Sequence, residues 1–182
     1  YYKRRAQNPD SGSHVDVATW FIYLNRTCFN GLYRVNQKGE FNVPFGKYTN
    51  PQICNEENLR ACHETLTRVK TKLESTDFMY VVADAKKGDC VYFGPPYLKR
   101  VGNEFVGYGE NIFGLNDHKR LAITARQLKE KGVNVLISNS GADEIRELYT
   151  KKLGFKVDEV QGARTIGATG LRRGHVPDLL IR

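Results

Sequence analysis

No apolar stretch of this chain approaches the roughly 20 residues that cross a bilayer, so a helical membrane span is excluded. No apolar segment follows Tyr1-Tyr2-Lys3-Arg4-Arg5, and the start of the sequence does not read as a signal peptide. Cysteine is too sparse for a framework. Cys28, Cys54, Cys62 and Cys90 include no C-x-x-C pair, and no Cys/His cluster has zinc-ligand spacing. A disulfide scaffold and a structural metal are therefore not expected. Four reduced thiols in a cytoplasmic, soluble globular chain are. Repeats and low-complexity tracts are also absent. Acidic residues are the minority: 20 Asp and Glu face 28 Lys and Arg, for a net charge of +8. That excess favours a polyanionic partner, nucleic acid first, although a merely basic surface would give the same number.

What is present fits one domain, or one domain with a small lobe: 182 residues with a mean hydropathy of −0.52. Polar residues, with a loop at Asn8-Pro9-Asp10-Ser11-Gly12-Ser13, precede a helical pattern over 15–25 carried by Val17, Phe21 and Leu24. Runs at 32–35 and 40–43 flank Asn36-Gln37-Lys38-Gly39 and predict a β-hairpin. Asn55 is placed to cap a helix striped by Leu59, Cys62, Leu66, Val69 and Leu73. Strands are expected at 78–82 and 90–93, the second after a turn at 86–89. A helix capped by Asn116 or Asp117 should stop at Gly132. Strand 133–138, helix 142–153 and strands 155–161 and 176–181 follow. This alternation argues for an α/β parallel sheet with a late antiparallel edge.

The chemistry points to Val91-Tyr92-Phe93-Gly94-Pro95-Pro96-Tyr97. In open α/β sheets, ligands bind beyond the carboxyl ends of strands, and this strand ends at a double proline. The prolines fix the backbone and remove two N–H donors, leaving rigid carbonyl acceptors. Tyr97 offers a face on which a base can stack. Taken alone, the same residues would better describe a loop that merely closes a strand, with a partly buried tyrosine.

The stretch is not alone. Asn25 to Arg34 and Phe41 to Tyr48 resemble the target-recognition hairpin of Dam-type (D12 class) DNA adenine-N6 methyltransferases. Gly94-Pro95-Pro96-Tyr97 resembles their Asp-Pro-Pro-Tyr catalytic motif. Phe105-x-x-Tyr108 with Phe113, Leu136-Ile137-Ser138-Asn139, and the tail from Arg164 through Arg172 and Arg173 to Leu179-Leu180-Ile181 follow in the family's order. The resemblance implies a Rossmann-like sheet dependent on S-adenosylmethionine, spanning about 67–182. It also implies a helical and β-hairpin DNA-recognition lobe over 1–66, with its hairpin at about 28–48. The implied activity is methyl transfer to an adenine flipped out of double-stranded DNA, in a GATC site, within a bacterial or phage cytoplasm.

Residue by residue, Arg34 can donate two hydrogen bonds to guanine O6 and N7. Leu32 and Pro44 can meet a thymine methyl. Phe29 can wedge into the stack the adenine leaves, with Asn30 beside it facing an orphaned or flanking base. Arg26, Lys47 and Tyr48 fit phosphate contacts, which position without specifying. Leu32 and Pro44 also suit plain hairpin packing, and Arg26 a carboxylate inside the lobe. By the resemblance, Asp77 and Phe78 hold the adenine of the cofactor. Asp77 is equally placed to cap a helix after Ser75-Thr76.

Two departures stand out. The family's lysine-containing segment and Phe-x-Gly-x-Gly loop, which cradle the cofactor's methionine and ribose, have no counterpart here. Gly102, Gly107 and Gly109 are too scattered to substitute. The chain thus reads as the back two thirds of such an enzyme. Gly94 also stands where the family's catalytic acid would accept a hydrogen bond from the target amine, so weak or absent turnover is expected. A non-catalytic DNA-binding remnant is the alternative.

Overall fold

A computed structural model describes residues 1–7, 12–98, 100–101, 104–105, 113–150, 153–164 and 174–182. Asn8 to Ser11, Gly102, Gly107, Tyr108, Gly109, Arg172 and Arg173 lie outside the described residues. The chain divides into two units, Tyr1–Leu73 and Glu74–Arg182.

In the first unit, a short α1 (Tyr2–Arg5) precedes α2 (His14–Thr27). Ser13 starts α2 with a capping box: its Oγ accepts from the Asp16 amide, and the Asp16 carboxylate accepts from the Ser13 amide at 3.0 Å. The helix ends where Cys28 turns extended. Its inner face carries Leu24 into a small core with Cys28, Phe41 and Val43, walled by Tyr1, Trp20, Tyr23 and Leu32. The expected hairpin forms, but as two isolated antiparallel bridges, Cys28 with Phe45 and Val35 with Phe41, in place of two regular strands. The Asn36 side chain explains part of this. Its Oδ1 accepts from the Lys38 and Glu40 amides, and such local bonds compete with a ladder. Helix α3 (Glu56–Arg68) begins under an Asn55 side-chain cap, with Glu56 and Glu57 in its first turn.

The second unit is a mixed α/β layer. A four-stranded sheet runs in the order β1 (Cys90–Phe93), β4 (Asn134–Ser140), β6 (Gly174–Ile181), β5 (Val157–Arg164). β1 and β4 are parallel, in register from Cys90 against Asn134 to Phe93 against Ile137. β6 runs antiparallel to both neighbours. β2 (Arg100–Val101) and β3 (Glu104–Phe105) form a separate antiparallel pair. Helix α5 (Leu115–Glu130) buries Leu121, Ala122, Ala125 and Leu128. These join Val135, Ile137, Leu179 and Ile181 of the sheet, and Ile145 and Tyr149 of α6 (Asp143–Thr150), in one core. Gly132, at φ 82°, stops the chain beyond α5 and turns it into β4.

Three expectations shift. The sheet is mixed, not parallel with an antiparallel edge: β6, antiparallel to both neighbours, lies inside it between β4 and β5. The segment expected as a strand at 78–82 is a helical turn, α4 (Phe78–Val81), because the Asp77 carboxylate accepts from the Met79 amide at 2.9 Å and caps it. Helix α5 starts earlier than Asn116. Gly114 is its N-cap, and Asp117 reaches back to the Gly114 amide at 3.0 Å.

Candidate functional site

The end of β1 opens into a cavity of about 400 Å³, in the range of small-molecule sites. Asp77, Phe78, Gly94, Pro95 and Pro96 all line it, with Tyr92, Phe93, Phe113, Asp117, Arg120 and Leu121. Residues separated in sequence therefore share one wall. Phe78 meets Phe93 edge-on and Phe113 at a tilt, each with ring centroids 6.2 Å apart. The result is an aromatic pocket with a charged rim.

Arg120 organises that rim. It donates to Asp77 Oδ2 at 2.8 Å and to Asp117 Oδ1 at 3.1 Å, and its guanidinium lies 5.4 Å from the Phe78 ring centroid. The hydrogen bond from Arg120 first, and the Met79 amide second, hold the Asp77 carboxyl below the usual carboxylate range. Asp77 stays ionised, and each of its oxygens keeps a further lone pair for a ligand amine. The aromatic walls and this acceptor fit the adenine end of S-adenosylmethionine. Sequence reasoning missed Arg120. Its spacing of three from Asp117 on a helix was the available signal.

The Gly94 to Tyr97 turn is held from below. Phe93 is buried and paired in register with Ile137. The Ser140 hydroxyl donates to the Leu98 carbonyl at 3.0 Å, fixing the far end. Beneath lies fully buried His118. Asn139 Oδ1 accepts from the Ser140 amide at 2.8 Å, which orients its NH2 toward His118 Nδ1 at 3.3 Å. The ring's Nε2 then carries the proton and has no hydrogen-bond partner, while the Pro96 backbone is close enough to favour the charged ring. Burial pushes the His118 pKa down and keeps the ring neutral. Tyr97 is half-buried at the end of the turn.

Gly94 has no left-handed φ. A Cβ there would make ordinary contact, 3.4 Å from Tyr92 Cε1. Neither backbone nor space demands glycine at this position. The Tyr92 hydroxyl, 2.8 Å from Ser138 Oγ, was not singled out from the sequence.

The residues expected to contact DNA sit on the first unit. Arg26, Phe29, Asn30, Arg34, Pro44, Lys47 and Tyr48 are exposed, whereas Leu32 is half-buried against the lobe core. Arg34 Nε donates to Asn42 Oδ1 at 2.7 Å and a terminal nitrogen to the Asn42 carbonyl at 3.3 Å, bracing the guanidinium while leaving donors free of that pair. The Phe29 amide donates to the Pro44 carbonyl at 2.8 Å, tying the two arms together. Asn30 (φ 54°) and Gly31 (φ 60°) turn the chain left-handed, and Asn25 Nδ2 clamps the Gly31 carbonyl at 2.7 Å. Gly46 is required for space: a Cβ there would lie 2.7 Å from the Cys28 carbonyl oxygen.

Among the described residues no group of His, Cys, Asp and Glu could hold a metal, and no helix is long and apolar enough to cross a membrane. Comparison with known proteins agrees with the geometry. The model of the D12 class N6 adenine-specific DNA methyltransferases matches residues 1–166. A type II methyltransferase of Lactococcus lactis subsp. cremoris is 38% identical over 94% of this chain and 60% of its own length. A type II methyltransferase of Methanocaldococcus jannaschii is 38% identical over 100% and 63%. The DNA adenine methylase of Haemophilus influenzae is 36% identical over 99% and 62%. The chain thus spans somewhat over half the length of these curated relatives. On the family match and on these identities, the chain belongs to the D12 class N6 adenine-specific DNA methyltransferase family.

Proposed function

We propose that this protein methylates N6 of an adenine flipped out of double-stranded DNA, reading GATC with the Arg34 hairpin and receiving the base at Gly94-Pro95-Pro96-Tyr97. The observation that carries the reading is the double-proline turn opening at the end of β1 into the same cavity as Asp77 and Phe78. In this reading residues 67–182 are part of a Rossmann-like methyltransferase sheet, and residues 1–66 are the recognition lobe. The setting is the cytoplasm of a bacterium or phage-infected cell, in a restriction-modification or replication-linked role.

S-adenosylmethionine, when bound, supplies a methyl group whose bond to sulfur breaks as adenine N6 bonds to it and sheds a proton. Asp77 and Phe78 would hold its adenine. The chain's own contribution is to the base. The Pro95 carbonyl accepts from the N6 amine, and Tyr97 stacks on the ring. Phe29 fills the space left in the duplex, with Asn30 beside it. Arg34 reads guanine, Leu32 and Pro44 border the thymine, and Arg26, Lys47 and Tyr48 meet phosphates. Gly94 supplies no side-chain acceptor, and a positioned polar group of this kind is typically worth ~10²–10⁴-fold in rate. Turnover is therefore expected to be slow. Gly94 equally favours a second reading, a sequence-specific DNA binder without catalysis.

Competition binding with GATC and scrambled duplexes over a range of salt tests the reader that both readings share. A GATC preference, on top of an affinity that falls with salt, is expected. Equal affinity for both duplexes would overturn both readings.

A further inference from the structure

We infer that the Tyr92 hydroxyl, anchored by Ser138, is the side-chain acceptor for the target amine that position 94 lacks. The inference rests on the adenine-N6 reading above and names a residue of that site.

Three observations converge. Tyr92 precedes Gly94 by two residues, so the pleat of β1 and its continuation put both on one face. A Cβ at position 94 would lie 3.4 Å from Tyr92 Cε1 and 3.7 Å from its Oη. The phenol oxygen thus occupies the neighbourhood that a longer side chain at 94 would enter, and Tyr92 lines the cavity with Gly94 and Pro95. Second, the oxygen is held in place. Ser138 lies one residue beyond the last registered pair of β1 and β4, Phe93 with Ile137, and its Oγ is 2.8 Å from Tyr92 Oη. With the phenol proton donated to Ser138, the lone pairs of Oη remain for an N–H of a base. Third, Tyr92 is 61% exposed and lines the cavity, so its side chain is no part of the core.

A hydroxyl is a weaker acceptor than a carboxylate, because hydrogen bonds to ionised partners are roughly twice as strong. The substitution therefore positions the amine without restoring the full effect of an acid. This fits a chain that keeps the rest of the turn while lacking the acid.

The test uses the full 182-residue chain and two GATC duplexes, one with adenine and one with purine (no 6-amino group) at the target position. Dissociation constants are measured by fluorescence anisotropy for wild type, Tyr92→Phe and Ser138→Ala. Purine pairs more weakly in the duplex, but that affects every variant alike. The adenine-to-purine affinity ratio therefore isolates the contact to the amine. We expect Tyr92→Phe to lower this ratio by about threefold to tenfold, the size of one neutral hydrogen bond, with the GATC preference over scrambled DNA unchanged. Ser138→Ala should lower it less. In a Gly94→Asp background the effect of Tyr92→Phe should shrink, because the carboxylate takes over the contact. An unchanged ratio in Tyr92→Phe, with the GATC preference intact, would overturn the inference and leave the proposed function standing. Loss of any GATC preference in the wild type would overturn both.

Discussion

The two units build their candidate surfaces in opposite ways. The first unit has, among its described residues, a small core of Leu24, Cys28, Phe41 and Val43, and holds its exposed Phe29, Asn30 and Arg34 through local backbone devices. These are a left-handed pair at Asn30 and Gly31, a glycine with no room for a Cβ at 46, and short hydrogen bonds between the arms. The double-proline turn is instead held from a distance. Parallel pairing of β1 with β4, the Ser140 hydroxyl and the buried His118 with Asn139 all reach it from later in the chain. Under the proposed function, a reader of DNA needs side chains that project from a stiff but shallow support. A turn that must aim a carbonyl at one atom needs the depth of a core.

If that contrast is right, core and turn substitutions should act on separate units. The largest effect is expected from Ile137→Ala. Ile137 is fully buried between Phe93 and Ile181, and such truncations cost about 2–5 kcal/mol. Urea melts followed by far-UV circular dichroism should shift strongly. The fluorescence of Trp20, the single tryptophan of the chain, reports the lobe and should hold its own transition. Coincident loss of both signals would break the comparison. Gly46→Ala should do the reverse, at about 1–3 kcal/mol of overpacking. The Trp20 transition should move to lower urea while the sheet unit keeps its circular dichroism. A neutral Gly46→Ala would mean that the two arms are not held as described.

A third effect is confined to binding. Arg34→Ala should lose about 1–3 kcal/mol of discrimination between GATC and a site altered at the guanine, with both melts unchanged. Uniform weakening on every sequence would recast Arg34 as a phosphate contact.

The smallest effect concerns the rim. The Asp77 carboxyl is depressed by Arg120. A depressed folded-state value means that its stabilisation is present above the ordinary carboxylate pKa near 4 and is lost as pH falls through the lower folded value. Asp77→Asn should flatten that part of an acid titration of stability, lowering stability slightly at neutral pH, where the stabilisation is present, and leaving the acid end nearly unchanged. The two side chains are 35% and 46% exposed, so the pair is partly screened by solvent. An identical acid limb in wild type and variant would remove Arg120 as the organiser of the rim.

The same contrast explains what the sequence could reveal. Local devices were legible. Asn55 caps α3, Gly132 closes α5, and the turn of the hairpin falls at Asn36 to Gly39, because each acts within a few residues of itself. The double-proline turn was legible as the end of a strand. The segment 78–82 was not, because its β-branched and aromatic residues suggest a strand while one Asp77 hydrogen bond starts a helical turn. The long-range contacts of Arg120, His118 and Ser138 were also beyond reach. Arg120 meets Asp77 43 positions away, His118 meets Asn139 21 away, and Ser138 meets Tyr92 46 away. Only the packing of α5 and the register of β1 against β4 bring them together. The apolar stripe of α3 was read correctly as a pattern, yet Leu59 and Leu66 remain exposed in their own unit. Periodicity states which face is apolar, not what covers it.

The most direct test of the central claim is transfer of a tritiated methyl group from S-adenosylmethionine to GATC duplexes by the chain with the family's Phe-x-Gly-x-Gly segment restored ahead of Tyr1, in its wild-type form and as Gly94→Asp. Position 94 has room for the acid's Cβ, which would make ordinary contact with the Tyr92 ring. The account predicts slow or undetectable transfer by the wild type and a gain on the order of 10²–10⁴-fold with the acid in place. The gain should appear on adenine-containing duplexes and vanish when purine replaces the target adenine. Transfer unchanged by the acid, or a gain on duplexes whose target base is cytosine, would contradict the assignment of Gly94-Pro95-Pro96-Tyr97 as the turn that receives the adenine.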